Sequence, residues 1–196
     1  MKIDKHRMST KSRHIQEVEK VEPRELEGAQ KLVGDKPEKR LAWALEFAQK
    51  DLAELTAGDL LNDRIRVRAF IHPTERWTAP MPMSSLPGPG DVAMIRVEFA
   101  NMLQPVKAGE QHGGWIQLMY EVVPFRDGRP MVHLGTMDPV NGATLRFAQL
   151  LEEFGHELRR CEDPKCRRWW IGRRNKQFCT IKCLSRVTTE RLRGEK

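Results

Sequence analysis

Apolar residues recur at helical spacing along two stretches of the chain. The first follows Asp35-Lys36-Pro37 and ends near Gly58, and the second follows Asp138-Pro139. The apolar face of the first comprises Leu41, Leu45, Ala48, Leu52 and Leu55, and that of the second comprises Phe147, Leu150, Leu151, Phe154 and Leu158. The spacing predicts a helix in both stretches, and the proline at the start of each is compatible with this because proline is tolerated in the first turn of a helix. The second is predicted to end near Arg160 and to run directly into Cys161.

Four other stretches have the pattern of β-strands. Ile65, Val67, Ala69 and Ile71 alternate with Arg64, Arg66 and Arg68, which predicts a half-buried strand with a basic outer face. Further strands are predicted at Val92–Phe99, at Trp115–Val123 and, after the turn Asp127-Gly128, near Met131–Leu134. The long loop at 80–90, rich in proline and glycine, is a lid, a linker or a plain connection. Residues 36–158 are therefore predicted to form an α+β domain, a small and largely antiparallel sheet with flanking helices.

The segment in front of this domain is dominated by charge. Residues 1–40 contain 19 charged residues of mixed sign and no aromatic residue. A segment of this composition buries little apolar surface, so residues 1–35 are predicted to be a mobile, charged arm. A short helix with Ile15, Val18 and Val21 on one face is the alternative for part of it.

All four cysteines fall within 23 residues, as Cys161-x4-Cys166-x12-Cys179-x3-Cys183. Two close pairs separated by a loop of this length match the ligand spacing of a tetrahedral structural zinc site. Four protein ligands would leave no open coordination position, so such a site is closed and not catalytic. Redox-active cysteines and an iron–sulfur cluster remain as alternatives.

The N-terminal sequence argues against disulfides. It contains no apolar signal segment, and no stretch of the chain approaches the length of a transmembrane helix. A cytoplasmic protein without membrane contact is therefore expected, and thiols stay reduced in that compartment.

Residues 159–196 are predicted to fold around the metal as a hairpin plus a helix. Arg167–Ile171 reads as a strand, Gly172–Asn175 as a turn and Lys176–Phe178 as the returning strand. Cys179 and Cys183 lie one helical turn apart, which places both sulfurs on the same face of a helix over Thr180–Arg193. A module with so few apolar residues is expected to depend on its metal for folding.

The basic excess of the chain lies on this module. Residues Glu157 to Lys196 contain 13 Lys or Arg and 5 Asp or Glu, a net charge of +8, whereas the whole chain has a net charge of +7. A zinc ion with four thiolates carries a formal charge of about −2, which neutralises only part of this surplus. The remainder predicts an external polyanion, such as a nucleic acid, as partner.

The predicted contacts divide by chemistry. Phosphate contacts are predicted for Arg167, Arg168, Arg173, Arg174, Lys176, Lys182, Arg186, Arg191 and Arg193. Trp169 is predicted to stack on an unpaired base. Because adjacent strand residues point in opposite directions, one of Trp169 and Trp170 is expected to be buried and the other exposed.

The stretch from Cys161 to Arg186 resembles the CGNR zinc finger. The shared features are the pair in Cys161-Glu162-Asp163-Pro164-Lys165-Cys166, an aromatic strand, an Arg-rich turn, Phe178-Cys179-Thr180, and then Cys183 with Arg186. That finger closes bacterial proteins described as stress-induced transcription regulators, which carry an ABATE domain in front. The resemblance implies a treble-clef-like zinc finger held by the four cysteines. Here the family's tetrapeptide is Cys183-Leu184-Ser185-Arg186, which keeps only the Cys and the Arg.

A DNA-binding transcription regulator with an effector or scaffold domain in front is thus the predicted function. The alternative is a zinc-stabilised module that docks an acidic protein partner, and the front domain is a candidate surface for a protein partner or for a homodimer. An enzyme is not expected, because the chain lacks a metalloprotease helix, a glycine-rich phosphate loop and a nucleophile elbow.

Overall fold

Helices dominate the part of the chain that the structure describes. The computed structural model describes residues 19–50, 56–108, 119–124, 130–135, 138–173 and 175–194. The helices in these ranges are α1 (Pro23–Val33), α2 (Pro37–Ala48), α3 (Ala57–Ile71), α4 (Pro89–Ala108), α5 (Pro139–Phe154) and α6 (Ile181–Gly194).

The strands form three antiparallel pairs of two strands each. These are β1 (Lys20–Val21) with β2 (Met81–Pro82), β3 (Met119–Pro124) with β4 (Pro130–Gly135), and β5 (Leu158–Arg160) with β6 (Trp169–Ile171). The fold is therefore mostly helical with small antiparallel sheets over the described residues, and the predicted α+β domain built on one larger sheet is correct only in part. Among these residues, none of the helices has the length and apolar character needed to cross a membrane.

The core is an aromatic cluster shared by α2, α3, α4 and α5. Phe70, Phe99 and Phe147 are fully buried, and the ring centroids of Phe99 and Phe147 lie 4.2 Å apart. Trp43 stacks on Phe47 beside them, with centroids 5.2 Å apart. Burial of large aromatic side chains gives each helix a strong apolar contact with the others, which fixes the arrangement of the four.

The predicted strand at Ile65–Ile71 is wrong, because these residues belong to α3. The Thr56 side chain accepts a hydrogen bond from Asp59 N, and the Asp59 carboxylate accepts one from Thr56 N, a capping box that starts the helix. Arg64 does not face solvent as predicted. Its guanidinium donates to the carbonyls of Pro87 at 2.6 Å and Met83 at 3.0 Å, so it ties the segment between β2 and α4 to α3. The loop predicted at 80–90 is in part ordered as β2, a 3-10 turn at Met83–Ser85 and the start of α4.

The predicted strand at Val92–Phe99 is wrong as well. The segment lies within α4, which begins with Pro89. Val92, Ile95 and Phe99 are completely buried and Leu103 is nearly so. This spacing of three and four residues is the helical one, and it outweighs the β propensity of valine and isoleucine.

Two predicted boundaries also change. Residues 19–35 are not the predicted charged arm, because α1 buries Leu26 and Val33 in the common core; residues 1–18 lie outside the described ranges. The predicted helix up to Arg160 ends at Phe154 instead, followed by a 3-10 turn and by β5.

Three predicted elements are confirmed within the described residues. These are α2, α5 and the β3–β4 hairpin. α2 ends at Ala48, and Leu52 and Leu55 of its predicted continuation lie outside the described ranges. The same holds for residues 115–118 of the predicted strand before β4.

Candidate metal centre and basic surface

The four cysteines converge on one point. One sulfur from each of Cys161, Cys166, Cys179 and Cys183 lies within 4.8 Å of the other three. The Cys166 and Cys179 sulfurs are 3.6 Å apart, and those of Cys179 and Cys183 are 3.7 Å apart. Four thiolates about 2.3 Å from a tetrahedral ion would be separated by about 3.8 Å. The cluster therefore fits a metal ion bound by four sulfurs, as the spacing predicts.

The first pair lies in the turn between β5 and β6. Cys161 N donates a hydrogen bond to the Arg168 carbonyl at 2.9 Å, which continues the β5–β6 pairing one residue further, up to the first cysteine. Cys166 N and Arg167 N both donate to the Asp163 carbonyl, and Arg167 adopts a left-handed φ of 49°. The hairpin thus differs from the predicted one: β6 pairs with β5 in front of Cys161, and Lys176–Phe178 is not a strand.

The second pair lies at the start of α6. Cys179 precedes the helix, and Cys183 lies in its first turn. Thr180 caps this end, because its hydroxyl oxygen accepts a hydrogen bond from Cys183 N and the hydroxyl also donates to the Cys183 sulfur, both at 3.3 Å. Such contacts around a metal site hold the ligand sulfur in position.

Burial and the neighbouring thiols shift the pKa values of Cys179 and Cys166 in opposite directions. Burial and the neighbouring thiols raise the pKa of Cys179 to about 12. Burial opposes ionisation of Cys166 too, but a backbone hydrogen bond from Arg168 and bonds from the other thiols lower its pKa. A bound cation would reverse the balance and favour thiolates at all four positions, releasing their protons.

A buried carboxylate joins the two halves of the centre. The Asp163 side chain is completely buried, and its Oδ1 accepts a hydrogen bond from Lys165 N at 2.9 Å. Its Oδ2 lies 3.1 Å from Arg186 Nη1, an ion-pair distance without hydrogen-bond alignment. Lys165 forms a second link, 2.7 Å from Glu190. Arg186 and Glu190 are on α6, so these pairs fasten the helix to the turn that carries Cys161 and Cys166.

The segment with the four cysteines (residues 159–194, the metal module) packs through β6 against the part of the chain that contains α1 to α5 (the helical domain). Trp169 N donates to Gln49 Oε1 at 2.7 Å, and Gln49 Nε2 donates to the Trp169 carbonyl at 3.2 Å. Trp169 and Ile171 pack against the core of the helices, and Leu158 of β5 belongs to that core. The side-chain amide of Gln49 therefore pairs with both backbone groups of Trp169, as a neighbouring strand would. The two parts of the chain also share one apolar contact surface.

The adjacent tryptophans differ from the prediction that one is buried and the other exposed. Both are half-buried, since Trp169 packs on the helical domain and Trp170 packs on the cysteine cluster. Gly172 makes room for the second ring, because a Cβ there would lie 1.8 Å from an atom of Trp170. The Lys176 ammonium lies 4.9 Å from the centroid of the Trp170 ring, a cation–π distance.

Most of the predicted phosphate contacts are on the surface of the module. Exposed side chains are those of Arg167, Arg168, Arg173, Lys176, Lys182, Arg186, Arg191 and Arg193, and Arg174 lies outside the described residues. Lys182, Arg186 and Arg193 line one shallow groove of α6 and therefore share one face of this helix. Unlike Lys182 and Arg193, Arg186 has a charged partner within the chain, because its guanidinium lies 3.1 Å from the Asp163 carboxylate.

The sequence reasoning missed Asp163, Gln49 and Thr180 as supports of the centre. Thr180 carries a local signal, since a threonine directly before a helix is a preferred N-cap. Asp163 and Gln49 act through partners 23 and 120 residues away, and no local pattern indicates such contacts.

Comparisons with protein-family models, with characterised proteins and with solved structures gave no match for this chain.

Proposed function

We propose that the chain is a zinc-stabilised nucleic-acid-binding protein, and specifically a DNA-binding transcription regulator in which the helical domain serves as effector or scaffold. Zinc is proposed because four thiolates in a closed tetrahedral set suit this ion, which would act structurally. The resemblance to the CGNR finger supports the same assignment, including the preference for DNA over RNA.

The observation that carries the proposal is the groove of α6. Lys182 and Arg193 are exposed on one face of the helix and point into a shared, shallow depression. Arg167 and Arg173 add exposed positive charge on the same module. Cations distributed in this way suit a row of phosphates, which provides affinity and position without reading bases.

A salt series tests this proposal. If about five phosphates are neutralised, the logarithm of the affinity for duplex DNA should fall against the logarithm of the salt concentration with a slope of about −4 to −5. Lys182→Ala with Arg193→Ala removes two cations from the groove, so we expect a slope shallower by about 1 to 2 and weaker binding to all sequences alike. Fluorescence anisotropy with a labelled duplex measures both.

The matched control is Arg24→Ala with Arg76→Ala. Both arginines are exposed on the helical domain, so this variant loses the same charge away from α6. An equal change of slope in the control would show that only net charge matters. Absence of binding to DNA and to RNA at low salt would refute the proposal.

A second function is favoured by the neighbouring face of α6. Ile181 is 81 % exposed and Leu192 is 62 % exposed, and Leu184 lies between them on the same side. Apolar side chains beside a basic row suit an acidic, amphipathic protein segment better than a nucleic acid. Leu184→Ser with Leu192→Ser changes two exposed apolar residues that do not line the groove, so it should leave DNA binding unchanged under the first proposal and should abolish capture of an acidic partner under the second.

A further inference from the structure

A cleft separates the helical domain from the metal module. It has a volume of about 650 Å³ and lies between α2 and α3 on one side and β6 with the segment up to Thr180 on the other. Small-molecule sites usually measure about 300 to 1,000 Å³ and often lie where two domains meet. The cleft is distinct from the groove of α6, which shares none of its lining residues.

The charges in the cleft favour an anion. Its lining contains the cations Lys50, Arg66, Arg168 and Lys176, and the anions Glu46 and Asp63. Asp63 is buried and already neutralised, with Lys50 at 2.8 Å and Arg66 at 3.6 Å. Arg168 is exposed on the opposite wall. Among the Lys, Arg, Asp and Glu side chains of the lining, the cations exceed the anions by two, and each domain contributes two of the four cations; the charge of the metal centre at Cys179 is not included in this sum.

The same cleft is lined by three indole rings. Trp43 comes from α2, and Trp169 and Trp170 come from β6. All three are half-buried residues of the lining, and one face of the Trp43 ring is already stacked on Phe47. Indole faces bind flat aromatic groups by stacking, and this stacking tolerates any base.

We propose that this cleft binds a nucleoside phosphate, with the base against the tryptophans and the phosphate between Arg66 and Arg168. The bound ligand bridges both walls and therefore favours the docked arrangement of the two domains. The site is separate from the α6 groove and does not rest on the nucleic-acid proposal. The same chemistry is offered by a free mononucleotide and by the 5′-phosphorylated end of a single strand.

Isothermal titration of the zinc-loaded full chain tests the proposal. The probes are the four nucleoside 5′-monophosphates, titrated separately. Ribose 5-phosphate, which lacks the base, and adenosine, which lacks the phosphate, are titrated for comparison. At least one monophosphate should bind about tenfold or more tightly than either of these two compounds, because it uses cations and rings together. A 5′-phosphorylated tetranucleotide that binds tighter than every monophosphate identifies a strand end as the ligand, and weaker binding identifies the free nucleotide. No binding of any monophosphate at millimolar concentration overturns the proposal.

Variants locate the site. Arg66→Gln with Arg168→Gln removes one cation from each wall and should weaken binding about tenfold or more. Arg24→Gln with Arg76→Gln removes the same charge outside the cleft and should leave affinity within about twofold. In NMR spectra, the indole signals of Trp43, Trp169 and Trp170 should shift on binding, while that of the buried Trp77 stays in place. An equal loss of affinity in both double variants, or unchanged signals of the three cleft indoles, would contradict the location.

Discussion

Replacement of Cys179 by serine is expected to unfold residues 161–193 while α1 to α5 keep their helices. Among the described residues, the apolar cluster of the module contains only Phe178 and the half-buried Trp170 and Val187 beside the cysteines, which is too little to offset the entropy of ordering the segment. Structural zinc contributes on the order of 10 kcal/mol in comparable peptides, so one lost ligand removes most of the stability of the module.

Zinc content and amide hydrogen exchange together measure this effect. The variant should lose stoichiometric zinc on dialysis against a weak chelator, and the amides of β6 and α6 should lose their protection. Ser185→Ala, at an exposed position of the same helix, is the control and should retain both. Full zinc occupancy of Cys179→Ser with a protected α6 would contradict the four-cysteine site.

Replacement of Arg186 by alanine is expected to destabilise the metal module by about 2 kcal/mol. The change leaves the carboxylate of Asp163 buried without its cation, and loss of a partner from a fully buried pair costs about 3 to 5 kcal/mol. The expected value is smaller because Arg186 is 41 % exposed and solvent screens the pair. Urea unfolding, followed through the NMR signal of the Trp170 indole N–H, measures the loss.

The partner variant separates this role from a contact with DNA. Asp163→Asn keeps a side-chain oxygen for Lys165 N but removes the buried charge, so Arg186→Ala combined with Asp163→Asn should be more stable than Arg186→Ala alone. If Arg186 instead reads a base, its loss would relax sequence preference by about 1 to 3 kcal/mol and leave stability unchanged. Additive destabilisation in the double variant would contradict the coupling of Asp163 and Arg186.

The cluster of four cysteines could be predicted because its signal is local. Cysteines at short spacing within each of two pairs are visible directly in the sequence, and the four sulfurs do converge. The helix over α6 follows from the same constraint, since Cys179 and Cys183 have to face one ion. The supports of the centre could not be predicted, because Asp163 and Gln49 gain their roles only when distant segments meet.

The helical domain was harder to predict because features typical of β-strands, an alternation of residues in α3 and β-branched residues in α4, occur in segments that form helices. In α3 the alternation of Arg64, Arg66 and Arg68 with apolar residues has the period of a strand. The segment is nonetheless a helix, in which Arg64 bonds to the carbonyls of Met83 and Pro87 and Arg68 bonds to Glu75. The prediction of a strand overlooked a contrary local pattern, since Thr56 and Asp59 form the capping box that starts this helix.

The central proposal is that a metal ion holds the basic surface of α6 in a form that binds nucleic acid. Its most direct test is the affinity of the full chain for a labelled DNA duplex at low salt, before and after the metal is removed by a chelator. We expect salt-dependent binding by the zinc-loaded chain, a loss of about tenfold or more on chelation, and recovery when zinc is restored. Equal affinity of the metal-free and zinc-loaded chains, or no binding by either, would contradict the proposal.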